Sequence, residues 1–321
     1  MIKNKNILIS GGAGFVGFYL AKELVDNNKI TIIDNLSKIK KKDEQLKILL
    51  KSKNIKFYKK EFTDIDPNKL SKNFDYIFDC AASVGVKKVI QTSFFSLKNN
   101  INITLKTIEI AKKQKKLKKI IFCSSSEVYD GGGKYYNVKY PTLENNPITM
   151  SDVFEKRTVY MASKILGEIM YINSGLPYVI NRFHNIYGPR MGYSHVIPEI
   201  IKKLYSSKKK IEIYSPNHSR AFCYYKDAIE IILKLAISKK SKNKIFNVGI
   251  QKPEISIKKL AGIISNITNN NKKILFKKDN HNSPKRRCPS MKETYKITGK
   301  IKCTTIEEGV LQTFNYFKNH R

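Results

Sequence analysis

The 321-residue sequence predicts an α/β protein built on a doubly wound parallel sheet, with a smaller mixed α/β lobe. Three observations lead to this prediction. Short apolar runs alternate with stretches of helical periodicity through the first half of the chain, as in a parallel sheet covered by helices on both faces. A glycine-rich turn directly follows the first apolar run, and beyond about residue 186 the alternation loosens into a mixed pattern.

The predicted elements follow in order from the apolar spacing. Strands of the main sheet are predicted at residues 6–10, 29–34, 55–58, 75–80, 118–123 and 177–183. Helices are predicted between them at 15–27, 87–113 and 157–173. The mixed region has predicted strands near 211–214 and 244–248 and predicted helices near 196–206, 226–238, 256–266 and 306–318. We therefore assign residues 1–185 plus about 225–250 to a first domain, and about 186–224 and 251–321 to the lobe.

Three stretches between these elements are interpreted as surface. The lysine-rich residues 38–42 and 112–119 are predicted to form a solvated loop and a helix end. Residues 131–137, GGGKYYN, are predicted to be a loop that is long and glycine-rich enough to move.

Composition and charge argue against several classes of protein, among them nucleic-acid-binding and membrane-spanning proteins. The net charge is +35, but only seven of the 61 basic residues are arginine, so we interpret the charge as a general lysine bias and nucleic acid as an unlikely partner. No run approaches the roughly 20 apolar residues of a membrane span. The first strand begins at Asn6, which leaves no room for a signal peptide, and a cytoplasmic location is expected. The five cysteines include no CxxC pair, and no metal site is predicted.

The stretch ISGGAGFVG predicts a dinucleotide site. It places Gly11, Gly14 and Gly17 between the first strand and the first helix, where a pyrophosphate can approach the backbone at a helix N-terminus. Asp34 ends the second strand and can accept hydrogen bonds from a ribose 2′-hydroxyl while repelling a 2′-phosphate, so NAD is favoured over NADP. Lys38 is the residue that would instead serve a 2′-phosphate.

The stretch YMASK predicts acid–base chemistry beside that site. Tyr160 and Lys164 share one helix face, and the serine-rich end of the fifth strand, CSSSEVY, should lie at the same edge of the sheet. Lys164, together with a positive nicotinamide ring, would lower the pKa of Tyr160. Tyr160 would then take a proton from a substrate hydroxyl as hydride leaves the same carbon.

The motifs together resemble the extended short-chain dehydrogenase/reductase family, and within it the NAD-dependent nucleotide-sugar epimerases, dehydratases and decarboxylases. The resemblance covers nearly the whole chain. It is carried by GGAGFVG, CAASVGV (80–86), NNINIT (99–104), SSSEVY, YMASK, NRFHNIYGPRM (181–191), SRAFCYYKDA (219–228), SPKRRCPS (283–290) and TTIEEGV (304–310). It implies a Rossmann domain that binds NAD and a lobe that binds a nucleotide-diphosphate sugar. It also implies a homodimer formed through the helices at 87–113 and 157–173.

The resemblance implies a role for each matching residue. The catalytic residues are the base Tyr160, its partner Lys164, the hydroxyl of Ser125, and Glu127 as a further acid or base. The implied cofactor contacts are Gly11, Gly14, Phe15, Val16, Gly17, Asp34, Asn35, Ala81, Ala82, Asn100, Ser124, Tyr160 and Lys164. The implied substrate contacts are Val84, Ser126, Asn185, Arg220 and Arg287. Asp130 departs from the glycine that usually follows VY in this family, and Ser290 departs from a common aspartate.

Glu127 is the residue that discriminates between reactions. It matches the acid/base glutamate of GDP-mannose dehydratases and UDP-glucuronate decarboxylases, so the prediction leans to a 4,6-dehydratase or related lyase acting through oxidation at sugar C4. A 4-epimerase is the alternative, followed by a net 4-dehydrogenase or reductase and by an RNA-binding protein of this fold. Arg157 either binds a substrate carboxylate or pairs with Glu155 or Glu168. For His184 and His195, substrate contact and ordinary packing both stay open.

Overall fold

The computed structural model describes residues 2–39, 43–83, 91–135, 138–150, 152–156, 158–206, 209–278 and 283–319. Its centre is a sheet of seven parallel strands. In chain order these strands are β1 (Asn6–Ser10), β2 (Lys29–Asp34), β3 (Ile55–Lys59), β4 (Tyr76–Asp79), β5 (Lys119–Ser125), β6 (Tyr178–Phe183) and β11 (Lys244–Val248).

The sheet has the topology that the sequence predicts. Its spatial order is β11-β6-β5-β4-β1-β2-β3, so the chain reverses direction across the sheet between β1 and β4. β4 and nearly all of β5 are buried, because helices cover both faces. In such a sheet ligands bind beyond the carboxyl ends of the strands at the reversal point, which here is the edge formed by Ser10 and Asp79. The doubly wound α/β fold is confirmed.

Ten helices occur in the described ranges. They are α1 (Phe15–Leu24), α2 (Glu44–Leu50), α3 (Ser93–Lys112), α4 (Asp130–Tyr135), α5 (Thr158–Ile172), α6 (Val196–Leu204), α7 (Tyr225–Ile237), α8 (Ile257–Ile267), α9 (Lys292–Thr298) and α10 (Ile306–Asn319). Helices α3 and α5 pack against each other beside β4 and β5. Of the predicted helix at 87–113, Ser93–Lys112 forms α3, and residues 87–90 lie outside the described residues.

Small sheets build the rest of the molecule. The remaining strands are β7 (Ile186–Tyr187), β8 (Lys210–Tyr214), β9 (Ser219–Ala221), β10 (Cys223–Tyr224), β12 (Glu254–Ser256), β13 (Lys273–Lys277) and β14 (Arg286–Arg287). They pair as β10-β7, β12-β9-β14 and β13-β8. A second apolar cluster lies between α6, α8 and α10, with Leu204, Leu260 and Val310 fully buried. The division into two domains stays a prediction.

Two surface predictions differ from the structure. Residues Asp130–Tyr135 form α4, where a mobile loop was expected. The glycines are needed for packing, since a Cβ on Gly131 would lie 1.6 Å from the carbonyl oxygen of Thr149. Lys119, at the end of the lysine-rich stretch, is 5% exposed, because its ammonium donates to the Leu235 and Ala236 carbonyls at the end of α7. No helix in the described residues has the length and apolar character that crossing a membrane requires.

Candidate active site

The glycine turn after β1 has no room for side chains. Gly11 has φ +67°, and a Cβ there would lie 2.8 Å from the Cα of Ala81. A Cβ on Gly17 would lie 2.3 Å from the carbonyl oxygen of Gly11. The glycine at position 14 precedes the first residue of α1 with extended φ and ψ and no side-chain cap. Phe15 and Val16 follow it, and the free N–H groups of this first turn suit a pyrophosphate.

The residues at the end of β2 fix the loop beside this turn. Asp34 accepts hydrogen bonds from the backbone N–H of Ala13 at 3.1 Å and of Leu36 at 2.7 Å. Asn35 donates to Glu61. Lys38 reaches across to the loop after β4, where its ammonium donates to the carbonyl of Ala82 at 2.8 Å. The acidic residue at the position predicted for a ribose contact is therefore held in place by the backbone.

The segment after β4 is anchored to helix α5 through one buried amide. The side chain of Asn100, 6% exposed, accepts a hydrogen bond from the backbone N–H of Ser83 at 2.7 Å and donates to the hydroxyl of Ser163 at 3.0 Å. Asn100 thus anchors the backbone directly after Ala81 and Ala82 to helix α5. Val84, predicted as a substrate contact, lies outside the described residues.

The predicted catalytic residues meet at the end of β5. Ser125 lies close enough to Tyr160 to lower the pKa of its phenol, and Ser125 Oγ accepts a hydrogen bond from the backbone N–H of Glu127 at 3.2 Å. The ammonium of Lys164 donates to the carbonyl of Cys123 at 2.8 Å and lies 5.8 Å from the centre of the Tyr160 ring. The sequence therefore identified three side chains that the fold brings together.

In this ligand-free structure, burial has the largest effect on the pKa values of Tyr160 and Lys164. It raises the pKa of Tyr160, the negative Glu127 raises it further, and the nearby hydroxyl of Ser125 lowers it. Burial lowers the pKa of Lys164, while Asp79 raises it. The predicted lowering of the Tyr160 pKa by Lys164 and a bound nicotinamide ring stays a prediction.

Glu127 is part of a buried charge cluster. Nη2 of Arg287 lies 2.7 Å from Oε1 of Glu127 and also contacts the carboxylate of Asp130. The three side chains are 13–15% exposed. Burial lowers the pKa of Arg287, but the two carboxylates raise it above its ordinary value, so the guanidinium stays charged. The structure thus places Arg287 against two acids, whereas the resemblance implied a grip on the nucleotide.

The other predicted substrate residues adjoin this cluster. Arg220 on β9 and Arg287 on β14 are register partners in neighbouring parallel strands. Asn185, with φ +46°, donates to the carbonyl of Ala221 at 3.3 Å and to that of Arg287 at 3.5 Å. Ser126 is buried at 4% exposure in the turn after β5. Three residues far apart in the sequence therefore form one edge of the site.

A buried polar network behind the site was missed by sequence reasoning. The hydroxyl of Ser124 donates to Glu168 at 2.6 Å, and its cofactor contact stays a prediction. Arg182 is 2% exposed and forms a 2.6 Å ion pair with Glu168. It also donates to the hydroxyl of Tyr129 at 2.7 Å. No periodicity in the sequence marks such a network, because its members come from different strands and helices.

His184 and Asn247 continue this network into the lobe. Tyr129 and Nε2 of His184 both donate to Oδ1 of Asn247, at 3.0 and 2.9 Å. The Asn247 amide donates to the carbonyls of Thr142 and Ser290. Burial lowers the pKa of His184 to about 3, so it is neutral. His184 therefore packs inside the protein and does not line the cleft.

Arg190 contacts the glycine turn and helix α1 from the segment that follows β7. Its guanidinium lies 2.6 Å from the carboxylate of Asp43, donates to the carbonyl of Ala13 at 3.3 Å and lies 3.8 Å from the centre of the Phe18 ring. Arg157 lies outside the described residues. Across the described ranges, no group of three His, Cys, Asp or Glu side chains is arranged to hold a metal ion.

The arrangement provides the groups needed to oxidise an alcohol and to move a second proton. Ser125 and Glu127 both lie close enough to Tyr160 to change its pKa, and Glu127 follows Ser125 by two residues in the same turn. The side-chain-free turn at Gly11 and Gly17 fits a dinucleotide pyrophosphate, so the residues present suit NAD.

Known proteins share these features. A curated relative, the UDP-N-acetyl-alpha-D-glucosaminuronate decarboxylase of Bacillus cytotoxicus, is 33% identical over 84% of this chain and 83% of its own length. The dTDP-D-glucose 4,6-dehydratase of Dictyostelium discoideum is 32% identical over 82% of this chain and 62% of its own length. The solved UDP-N-acetylglucosamine 4-epimerase of Methanobrevibacter ruminantium superposes with a TM-score of 0.84, covers 100% of both chains and is 29% identical.

A protein-family model matches most of the chain. The model described as the NAD dependent epimerase/dehydratase family matches residues 7–249, which include the glycine turn, Tyr160, Lys164 and every strand of the main sheet. This match and the curated relative at 33% identity establish the family and its cofactor. The chain belongs to the NAD-dependent epimerase/dehydratase family of enzymes that act on nucleotide sugars.

Proposed function

We propose that the protein is a nucleotide-sugar lyase, a 4,6-dehydratase or a related enzyme, in which Glu127 acts as the acid or base after oxidation at sugar C4. The observation that carries this proposal is the position of Glu127. Its backbone N–H donates to Ser125 Oγ at 3.2 Å, and both Glu127 and Ser125 lie close enough to Tyr160 to change its pKa, so the carboxylate adjoins the base that acts at C4. NAD, when bound, supplies the hydride acceptor and later the hydride donor.

Side chains of the protein carry out the proton transfers and hold the substrate oxygen. Tyr160 accepts the proton of the C4 hydroxyl, and Ser125 holds the same oxygen by a hydrogen bond. The C4 ketone makes the C5 proton acidic, and Glu127 removes that proton. The C6 hydroxyl then leaves as water when Glu127 returns a proton to it. C6 takes back the hydride and C5 takes up one proton, which balances the proton that Tyr160 accepted from the C4 hydroxyl and then releases. Arg287, 2.7 Å from Glu127, stabilises the carboxylate in its charged form.

Loss of water tests the lyase proposal directly. UDP-, GDP-, dTDP- and CDP-sugars are incubated with the protein, and the molecular masses of the products are measured by mass spectrometry. We expect a loss of 18 Da, about the mass of one water, and a rate at least 100-fold lower in Glu127→Gln, in line with the usual contribution of a general acid or base. Glu109→Gln, on the exposed face of α3, serves as the control. An unchanged rate in Glu127→Gln contradicts the proposal.

Tyr160→Phe tests the oxidation step. Turnover should fall by at least about 100-fold, while the NAD that copurifies with the protein stays bound. Tyr58→Phe on β3, at the far edge of the sheet, is the matched control. Loss of NAD from Tyr160→Phe would mean that the residue is structural.

A 4-epimerase is the second candidate. It is supported by the solved UDP-N-acetylglucosamine 4-epimerase, which covers the whole chain at 29% identity. An epimerase would release a product of unchanged mass with inverted C4 stereochemistry. The same incubation separates the two reactions, and loss of 44 Da, about the mass of CO2, would identify a decarboxylase instead.

We also infer a homodimer formed through α3 and α5. Its support is an exposed apolar surface on these adjacent helices, where Phe94, Phe95, Leu166 and Ile169 are 40–69% exposed. Burying such a surface removes apolar area from water. Leu166→Glu should convert the dimer to a monomer by light scattering after gel filtration. Leu311→Glu, 45% exposed on α10, should leave the mass unchanged.

A further inference from the structure

We propose that Arg190 is a positioning residue for NAD, which holds the glycine turn in the shape that binds the cofactor. Arg190 lies directly after β7 and Gly188-Pro189, 177 positions along the chain from the turn that it contacts. The inference goes beyond the proposed function, because it concerns the cofactor of the family and holds for a dehydratase, an epimerase or a decarboxylase alike.

The glycine turn is held by charged side chains on both sides of Ala13, which is fully buried. The Ala13 N–H donates to Oδ2 of Asp34 at 3.1 Å, and its carbonyl accepts from Nη2 of Arg190 at 3.3 Å. Because a peptide group is planar, a held carbonyl also fixes the N–H of Gly14, which donates to the Gly11 carbonyl at 3.0 Å. Arg190 therefore acts on the peptide that closes the turn.

The same guanidinium also contacts the helices on either side of the turn. Its centre lies 3.8 Å from the centre of the Phe18 ring on α1. Its Nη1 donates to Oδ1 of Asp43 at 2.7 Å, and that carboxylate also accepts the backbone N–H of Leu46 at 3.0 Å and so caps α2. One planar cation thus joins the turn, α1 and the start of α2.

Burial and backbone conformation show that these contacts constrain Arg190. The side chains of Arg190 and Asp43 are 4% and 14% exposed, so solvent and salt screen the pair weakly. The φ angle of Arg190 is +67°, an unfavourable conformation for a residue with a side chain, which persists only where the surrounding contacts hold it. The turn that these contacts hold has little slack, since a Cβ on Gly17 would lie 2.3 Å from the Gly11 carbonyl oxygen.

A role in folding alone is the alternative explanation for Arg190, because breaking any buried ion pair lowers stability. The two roles differ in their effect on NAD. A residue that only stabilises the fold leaves the NAD affinity of the folded protein unchanged. A residue that positions the turn changes that affinity by more than its effect on stability would predict.

The test measures NAD binding and stability separately on the full-length protein freed of copurified NAD. Titration calorimetry gives the NAD dissociation constant, and urea unfolding gives the stability. We expect Arg190→Met to raise the dissociation constant at least about tenfold, roughly the effect of one lost charge-assisted hydrogen bond. Arg190→Lys should raise it too, because one ammonium cannot replace the planar fork that reaches both Asp43 and Ala13.

Two further variants complete the design. Asp43→Asn keeps an oxygen that can cap α2 but removes the ion pair with Arg190, and it should weaken NAD binding at least about threefold. Lys119→Met is the control, because it should destabilise the protein from the opposite end of β5 and leave NAD binding unchanged.

Two results would overturn the inference. One is a wild-type NAD dissociation constant in Arg190→Met or, where that variant does not fold, in both Arg190→Lys and Asp43→Asn. The other is an equal loss of NAD affinity in Lys119→Met, which would mean that any destabilised variant loses the cofactor. Failure of the proposed function leaves this measurement unaffected, since no sugar takes part in it.

Discussion

Replacing Arg182 by methionine should destabilise the protein severely, because it leaves a buried carboxylate without its cation. Arg182 and Glu168 have side chains 2% and 3% exposed and an N···O distance of 2.6 Å. Breaking a buried pair by removing one partner costs about 3–5 kcal/mol. Since whole proteins are stable by only about 5–15 kcal/mol, this loss is a large fraction of the total. The replacement of both residues, Arg182→Met with Glu168→Leu, should recover most of it, because no charge stays buried alone.

Urea unfolding followed by circular dichroism measures the effect. With a slope of about 3 kcal/mol per molar urea, the single variant should unfold at a midpoint about 1–1.7 M lower. The exposed pair Lys106–Glu109 on α3 is the control, because its N···O distance is 2.7 Å but its side chains are 20% and 46% exposed. Glu109→Gln should cost at most about 0.5 kcal/mol.

Two outcomes would refute this reasoning. A loss below about 1 kcal/mol in the Arg182 variant would mean that water or another group compensates Glu168. A double variant as unstable as the sum of the single variants would mean that the two side chains act independently.

Three further predictions follow from single sites. Because burial lowers the pKa of His184 to about 3, the unfolded chain binds more protons at acidic pH, and the wild type should lose about 2 kcal/mol of stability between pH 6.5 and 5. His184→Gln should lose less in urea unfolding at the same pH values, and equal losses would contradict the assignment. Lys119→Met should cost about 1–3 kcal/mol in thermal unfolding, because carbonyls at the end of α7 lose their donor, and an unchanged melting temperature would contradict it. Gly17→Ala should weaken NAD binding at least tenfold, since its Cβ would lie 2.3 Å from the Gly11 carbonyl, whereas Gly262→Ala, with open space, should bind NAD normally.

The sequence predicted the main sheet well, because a buried parallel strand leaves a strong apolar signal. The strands at 6–10 and 29–34 agree with the structure at both ends. Helix α4 was missed because three consecutive glycines disfavour a helix on their own. Within this helix Gly131 lets the backbone of Thr149 approach closely, and such a tertiary contact has no local signature in the sequence.

The sequence predicted which residues belong to the candidate site, but not which of their side chains pair with one another. Tyr160, Ser125 and Lys164 lie together as the spacing and the strand ends indicated. The pairing of Arg287 with Glu127 joins residues 160 positions apart, and no periodicity links them. The departure at position 130 could be seen in the sequence, but only the structure shows that the aspartate contacts a guanidinium.

The distance along the chain between these charges has a consequence for synthesis. When the ribosome has added residue Val248, every strand of the main sheet has been made, together with the glycine turn, Tyr160 and Lys164. Arg287, whose guanidinium contacts both Glu127 and Asp130, is then still to be translated. The contacts of Arg287 with the turn after β5 therefore form only when the last part of the polypeptide docks, after every strand of the main sheet has been made.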